Sequence, residues 1–248
     1  MGRRLLIVSL SFVIFLYSSV PPLHAQSVEA TAASYVEMGN DFARHGNNKL
    51  ALGAYTIALD YAPKFAPAYF GRAVVHQAMG NLPLAIADFT KTLEISPSCG
   101  EAYSNRGFAF SMQHEVEKAM ADWETALQIN PKLGTVYYNR GNLRLQEGDV
   151  DGALLDFDKA VELMPRNAMV FNNRGIARLG RGDLDGAIAD FDRAIKLNPE
   201  HPEAFANLGL VRLQQGKSAE AERDFARSVA LRPSVRDFLD RRIAEIKQ

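Results

Sequence analysis

Prolines recur along this chain at one constant spacing, and no insertion interrupts the series. The prolines in phase are Pro63, Pro97, Pro131, Pro165, Pro199 and Pro233. Six prolines in one register are very improbable by chance, and a fixed period of roughly 20–50 residues is typical of proteins built from repeated, stacked units. The period therefore predicts a repeat architecture for most of the 248 residues.

Two positions of the repeated unit are aromatic in all six copies. At the fourth position stand Tyr35, Tyr69, Tyr103, Tyr137, Phe171 and Phe205. At the twenty-fourth position stand Tyr55, Phe89, Trp123, Phe157, Phe191 and Phe225. Large rings at fixed positions predict the core within and between units, so we expect Trp123 to pack in the interior rather than to hold a ligand.

Three other positions carry small residues in every copy. The eighth position holds Gly39, Ala73, Gly107, Gly141, Gly175 and Gly209. The twentieth holds Ala51, Ala85, Ala119, Ala153, Ala187 and Ala221, and the twenty-seventh holds Ala58, Thr92, Ala126, Ala160, Ala194 and Ser228. A glycine inside a helix costs about 1 kcal/mol relative to alanine, so its recurrence predicts a close approach of two helices at the eighth position.

In combination, these positions resemble the tetratricopeptide repeat family, whose signature is an aromatic residue, glycine or alanine, alanine, a second aromatic, alanine and proline at these spacings. The resemblance extends from Ala32 to Pro233. It implies an all-α fold, an α-solenoid of six antiparallel helix-turn-helix repeats wound as a right-handed superhelix. The implied repeats are residues 32–65, 66–99, 100–133, 134–167, 168–201 and 202–233.

The ends of the predicted helices carry their own signals. Glycine recurs where the first helix of a unit should end, at Gly46, Gly80, Gly148, Gly182 and Gly216. His114 takes this place in the third unit, so we expect that turn to differ. Residues suited to cap or precede the second helix follow at Asn47, Asn81, Asp149 and Asp183. The repeating proline ends the second helix, because the residue before a proline is disfavoured in helical geometry.

Residues 1–25 have the layout of a secretory signal peptide rather than of a folded element. Two arginines precede an uncharged, mostly apolar run from Leu5 to Val20, and a small-residue site ends at Ala25. We therefore predict cleavage after Ala25 and a secreted or periplasmic protein, with residues 26–31 as a linker. The run is short for a membrane-spanning helix, which needs about 20 apolar residues. An uncleaved N-terminal anchor stays the alternative, and membrane contact is expected only in that case.

Residues 234–248 follow the last repeat and are predicted to form a capping helix. Their apolar residues recur every three or four positions, at Val235, Phe238, Leu239, Ile243 and Ile246. This spacing places them on one helical face. The other residues are largely charged, as the outer face of a solenoid end requires.

Arginine stands at the seventh position of units two to five, where this family usually has an apolar residue. The four arginines are Arg72, Arg106, Arg140 and Arg174, and the same units carry aspartate at the twenty-third position, as Asp88, Asp122, Asp156 and Asp190. The planar guanidinium fork matches a carboxylate. We therefore predict that these arginines pair with these aspartates between helices. The sixth unit has Leu208 in place of arginine but retains Asp224.

The resemblance implies that a partner binds the concave face, which the first helix of each unit lines. The residues at the implied positions mix apolar side chains with a row of asparagines: Phe70, Val74, Asn105, Phe108, Tyr138, Asn139, Asn142, Asn173, Ile176, Asn207 and Leu210. An asparagine amide carries donors and an acceptor, so such a row can hold an extended backbone without reading its sequence. The alternative is that the asparagines make local helix contacts or are simply solvated.

Other kinds of chemistry are not indicated. A net charge of −1, from 28 basic and 29 acidic residues, gives no bulk attraction to nucleic acid. No lysine occupies the second or fifth position of any unit, which argues against the carboxylate clamp of some relatives. The five histidines are scattered, so we predict no metal site, catalytic residue or small-molecule cofactor. Cys99, the single cysteine, is free or bridged to another chain, and a tolerated small residue is the simplest interpretation.

These features favour a non-enzymatic, exported adaptor that binds a peptide or protein segment in the groove. The alternative is a cell-envelope assembly scaffold that works through its outer faces or is tethered by a retained N-terminal segment. A catalytic role would need a loop of its own, and the repeats contain no insertion for one. Repeat architecture predicts binding but not the identity of the partner.

Overall fold

The computed structural model describes residues 23–246, and within this range the chain is helical and contains no strand. The helices are α1 (Leu23–Arg44), α2 (Asn48–Tyr61), α3 (Ala66–Ala78), α4 (Leu82–Ile95), α5 (Gly100–Met112), α6 (Val116–Ile129), α7 (Gly134–Gln146), α8 (Val150–Leu163), α9 (Ala168–Gly180), α10 (Leu184–Leu197), α11 (Pro202–Gln214), α12 (Ser218–Leu231) and α13 (Arg236–Ile246). From α2 to α12, equivalent helices begin at a constant spacing, as at Leu82, Val116 and Val150. The predicted all-α arrangement of repeated helix-turn-helix units is confirmed.

The described residues fall into two compact units, of which the first ends at Asn105 and the second begins at Arg106. In the first unit, α1 packs against α2 and α3, and α3 packs against α4. In the second unit, α7, α9 and α11 pair with α8, α10 and α12 respectively, and α13 packs against α11. Because each helix buries its apolar stripe against its partner, the core of each unit is a series of clusters between helices.

The turn after the first helix of each pair has one geometry in all six cases. Five of these turns contain a glycine with φ between 73° and 84°. His114 has a φ of 59° at the equivalent place, and the amide of Glu115 donates to the carbonyl of Phe110 at 3.0 Å, as at the other turns. The expectation that this turn differs is therefore wrong, because its closing hydrogen bonds require a left-handed residue. That conformation costs a residue with a side chain roughly 1–2 kcal/mol.

The predicted helix caps are present in part. The side chains of Asp149 and Asp183 accept the backbone N–H three residues further on, from Gly152 at 2.9 Å and from Gly186 at 3.0 Å. These bonds satisfy an amide that has no partner inside the helix. Asn47 and Asn81 were also predicted as caps, but each precedes its helix without a side-chain cap bond. Each second helix ends two residues before the repeating proline.

The small residue at the eighth position leaves space for the aromatic ring of the facing helix. A Cβ atom added to Gly175 would lie 2.7 Å from Cε1 of Phe191, and one added to Gly39 would lie 2.6 Å from Cε1 of Tyr55. Both distances are too short for two carbon atoms that are not bonded. The predicted close approach of the two helices is confirmed, and the rings themselves are fully buried.

Substitution of Gly175 by alanine is expected to lower the free energy of unfolding by about 1–3 kcal/mol, because the new methyl group forces the Phe191 ring out of place. Denaturant unfolding followed by circular dichroism measures the change. Gly53 is the matched control, since it lies inside α2 and an added Cβ there meets nothing within 4 Å. At that position alanine should instead stabilise the chain by about 0.5–1 kcal/mol. Stabilisation by both substitutions would contradict the packing argument.

The N-terminal helix begins earlier than expected. Residues 26–31, predicted as a linker, are helical and belong to α1. The linker prediction is wrong because no proline or glycine lies between Leu23 and Gly39 to end the helix. Residues 1–22 of the predicted signal peptide lie outside the described residues, so that interpretation stays a prediction. Among residues 23–246, no helix is long and apolar enough to cross a bilayer.

At the C-terminal end, α13 lies where the capping helix was expected. Leu239 is almost completely buried in a cluster with Ala206, and Val235 and Ile243 pack against the same cluster. Phe238, predicted on the same apolar face, is instead 43% exposed. The helix therefore covers the end of the last repeat with part of the predicted stripe.

Candidate functional site

Four arginines on first helices each bind the aspartate that lies sixteen residues later on the second helix. In the pair Arg174–Asp190, Nε donates to Oδ2 at 2.9 Å and Nη2 donates to Oδ1 at 2.7 Å. The same two-point contact joins Arg72 to Asp88, Arg106 to Asp122 and Arg140 to Asp156, at 2.7 to 2.9 Å. All four aspartates are buried. The predicted pairing of these arginines and aspartates is confirmed.

A second set of arginines reinforces the later pairs. Nη1 of Arg144 donates to Asp156 at 2.8 Å, and Nη1 of Arg178 lies 2.9 Å from Oδ2 of Asp190. In the last repeat, where Leu208 takes the place of the first arginine, Arg212 binds Asp224 at 2.7 Å. Sequence reasoning missed these three arginines. They recur with the same period as the prolines, and that recurrence could have revealed them.

These ion pairs hold the helices together and leave little cationic surface for a ligand. Burial lowers the pKa of the Arg174 guanidinium, but its bonds to Asp190 and Asp158 outweigh burial and raise that pKa overall. Burial raises the pKa of the Asp224 carboxyl, although the bond to Arg212 acts in the opposite direction. The arginines remain charged and engaged, so they are positioning residues of the scaffold rather than an anion-binding site.

In the first unit, the three predicted groove residues have different environments. Phe70 is half-buried and packs edge-on against Phe89, with ring centroids 5.8 Å apart. Asn105 donates to the carbonyl of Glu101 on its own helix at 3.0 Å. This bond agrees with the alternative interpretation of the asparagine row, in which the asparagines make contacts within their own helix. Val74 is 40% exposed and is the most accessible of the three.

In the second unit, the first helices carry a continuous chain of amide hydrogen bonds, here called the asparagine ladder. Nδ2 of Asn173 donates to Oδ1 of Asn142 at 2.7 Å and to the hydroxyl of Tyr138 at 3.2 Å. Nδ2 of Asn172 donates to Oδ1 of Asn173 at 3.0 Å, and Nδ2 of Asn207 donates to Oδ1 of Asn172 at 3.1 Å. The ladder thus joins α7, α9 and α11. Sequence reasoning found four of its five members and missed the buried Asn172.

A cavity of about 310 Å³ lies between the end of α5 and α7, and it is here called the neutral cavity. Its lining residues are Phe108, Ser111, Met112, His114, Asn139, Asn142, Leu143 and Gln146. Three of these, Phe108, Asn139 and Asn142, were predicted groove residues. The lining contains no aspartate, glutamate, lysine or arginine, so apolar surface, amide groups, the Ser111 hydroxyl and the His114 imidazole decide what the cavity can accept.

A second cavity, of about 440 Å³, lies on the other side of the ladder and is here called the charged cavity. Its lining residues are Tyr138, Met169, Asn172, Asn173, Asn198, Glu200, His201, Pro202, Glu203 and Arg232. Glu203 is bound by Nδ1 of His201 at 3.0 Å and by the guanidinium of Arg232. Burial acts to raise the pKa of Glu203, but its backbone hydrogen bond and the charges of Arg232 and His201 lower that pKa overall. The two cavities therefore differ in charge and share the ladder between them.

Family models match the chain along much of its length. One tetratricopeptide repeat model matches residues 36–99 and 172–235, which together are just over half of the chain, and a second tetratricopeptide repeat model matches residues 134–167. The chain belongs to the tetratricopeptide repeat family. Tetratricopeptide repeat proteins mediate protein–protein interactions, and the fold is generally a non-enzymatic interaction scaffold.

Solved tetratricopeptide repeat structures have a similar fold at low sequence identity. PilF from Pseudomonas aeruginosa is 20% identical with a TM-score of 0.76, over 84% of this chain and 94% of that one. PilW, described as a widely conserved type IV pilus biogenesis factor, is 19% identical with a TM-score of 0.73, over 80% and 92%. YrrB, described as a tetratricopeptide protein with an unusual peptide-binding site, is 24% identical with a TM-score of 0.61, over 73% and 93%. No curated protein matches the chain in sequence at a significant level.

Two further predicted groove residues, Ile176 and Leu210, lie on the last two tetratricopeptide repeats, and they differ in how exposed their side chains are. Ile176 on α9 is partly exposed, as a groove residue should be. Leu210 on α11 is only 5% exposed and packs against Leu239 of α13. The assignment of Leu210 to the groove is therefore wrong, because the capping helix covers the face that α11 would otherwise present.

Proposed function

We propose that this chain is an exported adaptor that holds an extended segment of a partner protein on the face formed by the first helices of its tetratricopeptide repeats. The observation that carries the proposal is the asparagine ladder with a cavity on each side. The proposed contact residues of the second unit are Phe108, Tyr138, Asn139, Asn142, Asn173, Ile176 and Asn207. In the first unit, the proposed contact residues are Phe70, Val74 and Asn105.

The ladder suits recognition of a peptide backbone. Each asparagine side chain has two N–H donors and an acceptor oxygen, and the ladder uses only part of this capacity. Asn142, for example, takes part through its oxygen, while its NH₂ group has no role in the ladder. Because the ladder already fixes the side-chain rotamers, a bound segment loses less entropy in ordering them. Side chains of the segment would then enter the two cavities and supply apolar contact.

Export is the second part of the proposal. The short basic start, the apolar run and the small-residue site at Ala25 support a cleaved signal peptide and a secreted or periplasmic location. The likeness in fold to PilW, a pilus biogenesis factor by its description, is compatible with an envelope location. An intact-mass measurement on natively exported protein tests this part, since retention of residues 1–25 would overturn cleavage.

A second candidate is an envelope assembly scaffold that binds through the second helices. Large apolar side chains are exposed there, at Leu50, Leu84 and Leu155, the last with 70% exposure. Isolated exposed leucines are common on protein surfaces, so this observation is weaker than the ladder and its cavities.

The double substitution Phe108→Ala with Tyr138→Ala is expected to reduce capture of the native partner at least tenfold in a crosslinking pulldown from the envelope fraction. The two rings line different cavities, so their removal weakens apolar contact on both sides of the ladder. Leu155→Ala is the matched control, because it removes an apolar side chain from a second helix. Circular dichroism should show the helix content of all three proteins to be equal.

Two other results would change the conclusion. If both variants capture the partner as the wild type does, the first-helix face is not the binding site. If Leu155→Ala loses the partner while the double variant keeps it, the scaffold hypothesis, with binding through the second helices, replaces the proposal.

A further inference from the structure

His114 is the exception among the six turns that follow the first helices. The other five turns use glycine in the left-handed conformation, and His114 adopts that conformation at a cost in free energy that glycine avoids. The hydrogen bonds that close the turn involve only the backbone. The turn therefore has no need of an imidazole, and glycine would form it with less strain.

Packing of the turn does not account for the imidazole either. At the five equivalent glycines, an added Cβ atom would meet nothing within 4 Å. His114 itself is exposed. A side chain at this position is therefore not required by packing, and residues in strained backbone conformations are concentrated at functional sites.

His114 is one of the residues that line the neutral cavity, together with Met112 and Gln146. Met112 is 56% exposed, which leaves a flexible apolar side chain open to a ligand. A water molecule takes up about 30 Å³ in the liquid, so a cavity of 310 Å³ has room for one large side chain but not for a folded domain. The lining offers no carboxylate, lysine or arginine with which a charged side chain could pair.

We propose that His114 is a specificity-determining residue, which forms one wall of the neutral cavity and hydrogen-bonds the bound segment beside it. The cavity then selects a single large, uncharged side chain, such as leucine, methionine or phenylalanine, from an extended segment of the partner. This inference rests on the proposed function, since it requires that a segment binds the first-helix face. It adds the class of residue that the segment must carry.

The test uses a random library of short peptides displayed on phage and selected on the immobilised full-length wild-type chain. The enriched peptides are synthesised and their affinities measured by fluorescence polarisation. We expect a shared leucine, methionine or phenylalanine, and alanine at that peptide position should weaken binding at least tenfold. His114→Gly should weaken binding about fivefold to tenfold, the effect of one lost hydrogen bond and its contacts. The same variant should raise the melting temperature by about 2–4 °C, because the left-handed strain is relieved.

A loss of peptide affinity together with a gain of stability in His114→Gly would distinguish a binding role for His114 from a structural one. His114→Asn is the conservative variant, since asparagine tolerates the left-handed conformation and retains a hydrogen-bonding group, and it should keep at least half of the affinity. Gly182→Asn places the same side chain in the equivalent turn of another repeat and should leave the affinity unchanged.

The outcomes distinguish this inference from the function on which it rests. Peptides that lose affinity for the Phe108→Ala, Tyr138→Ala variant but bind His114→Gly as they bind the wild type would overturn only the role of His114. Peptides whose shared residue is charged would overturn the neutral selectivity. Peptides that bind all variants equally, or failure to enrich any peptide, would overturn the proposed function and this inference together.

Discussion

Substitution of Asp190 by asparagine is expected to lower the free energy of unfolding of the second unit by about 3–5 kcal/mol. The Asp190 side chain is 4% exposed and accepts hydrogen bonds from Nε and Nη2 of Arg174. Arg178 approaches the same carboxylate from the next turn of α9. An asparagine keeps the shape of the side chain but removes its charge and turns an NH₂ group towards the guanidinium donors. Two partly buried cations would then lack their shared counter-charge.

The measurement needs a readout for each part of the chain, because repeat proteins can unfold in parts. Urea unfolding followed by circular dichroism gives the overall loss, and hydrogen exchange should show the largest increase in α9 and α10. Glu162→Gln is the matched control, since the ion pair of Glu162 with Lys159 is well exposed and its removal should leave the transition midpoint unchanged. Equal transition midpoints for the Asp190 variant and the wild type would show that the buried pairs contribute little to stability.

Substitution of Phe191 by alanine is expected to cost a similar amount, about 3–5 kcal/mol. The ring is completely buried and packs with Leu208 and Val211 of the following first helix, as well as against Gly175 in its own repeat. Alanine would leave a void bordered by two repeats. The neighbouring glycine cannot fill that void, because it has no side chain.

Leu155→Ala provides the comparison for this prediction, since Leu155 also lies on a second helix but is largely exposed. We expect the free energy of unfolding of that variant to stay within about 0.5 kcal/mol of the wild-type value. Xenon or benzene binding to the Phe191 variant, with partial recovery of stability, would identify the void directly. A Phe191 variant as stable as the Leu155 variant would mean that the adjoining repeats can collapse onto the lost volume.

Much of the fold could be predicted because a fixed period repeats the same local geometry. The glycine turns, the helix ends before each proline and the pairs such as Arg140–Asp156 all lie within one repeat. Each therefore has several copies in the sequence, and the copies support one another. The His114 turn shows the limit of this reasoning, because the residue type changed while the backbone hydrogen bonds imposed the same conformation.

The candidate site was predicted less completely, because it depends on contacts between repeats. Asn173, Asn142 and Asn207 were found from their positions, but the buried Asn172 that links two of them was not. The shared use of Asp156 by Arg140 and Arg144 was also missed, since it requires two turns of one helix to reach the same carboxylate.

The amino-acid sequence alone was sufficient to establish the helix pairs, their spacing and the family, because short-range packing is repeated in every unit. Tertiary structure was needed for contacts between one repeat and the next, and between the last repeat and α13. Leu210 is the clearest case, since its position in the repeat predicts an open groove and α13 buries it instead. The side chains around the neutral cavity come from α5, from α7 and from His114 in the turn that follows α5. The period of the sequence carries no information on the volume left between these side chains. Such contacts depend on the actual size and direction of neighbouring side chains, which is why they emerge only when the helices are packed together.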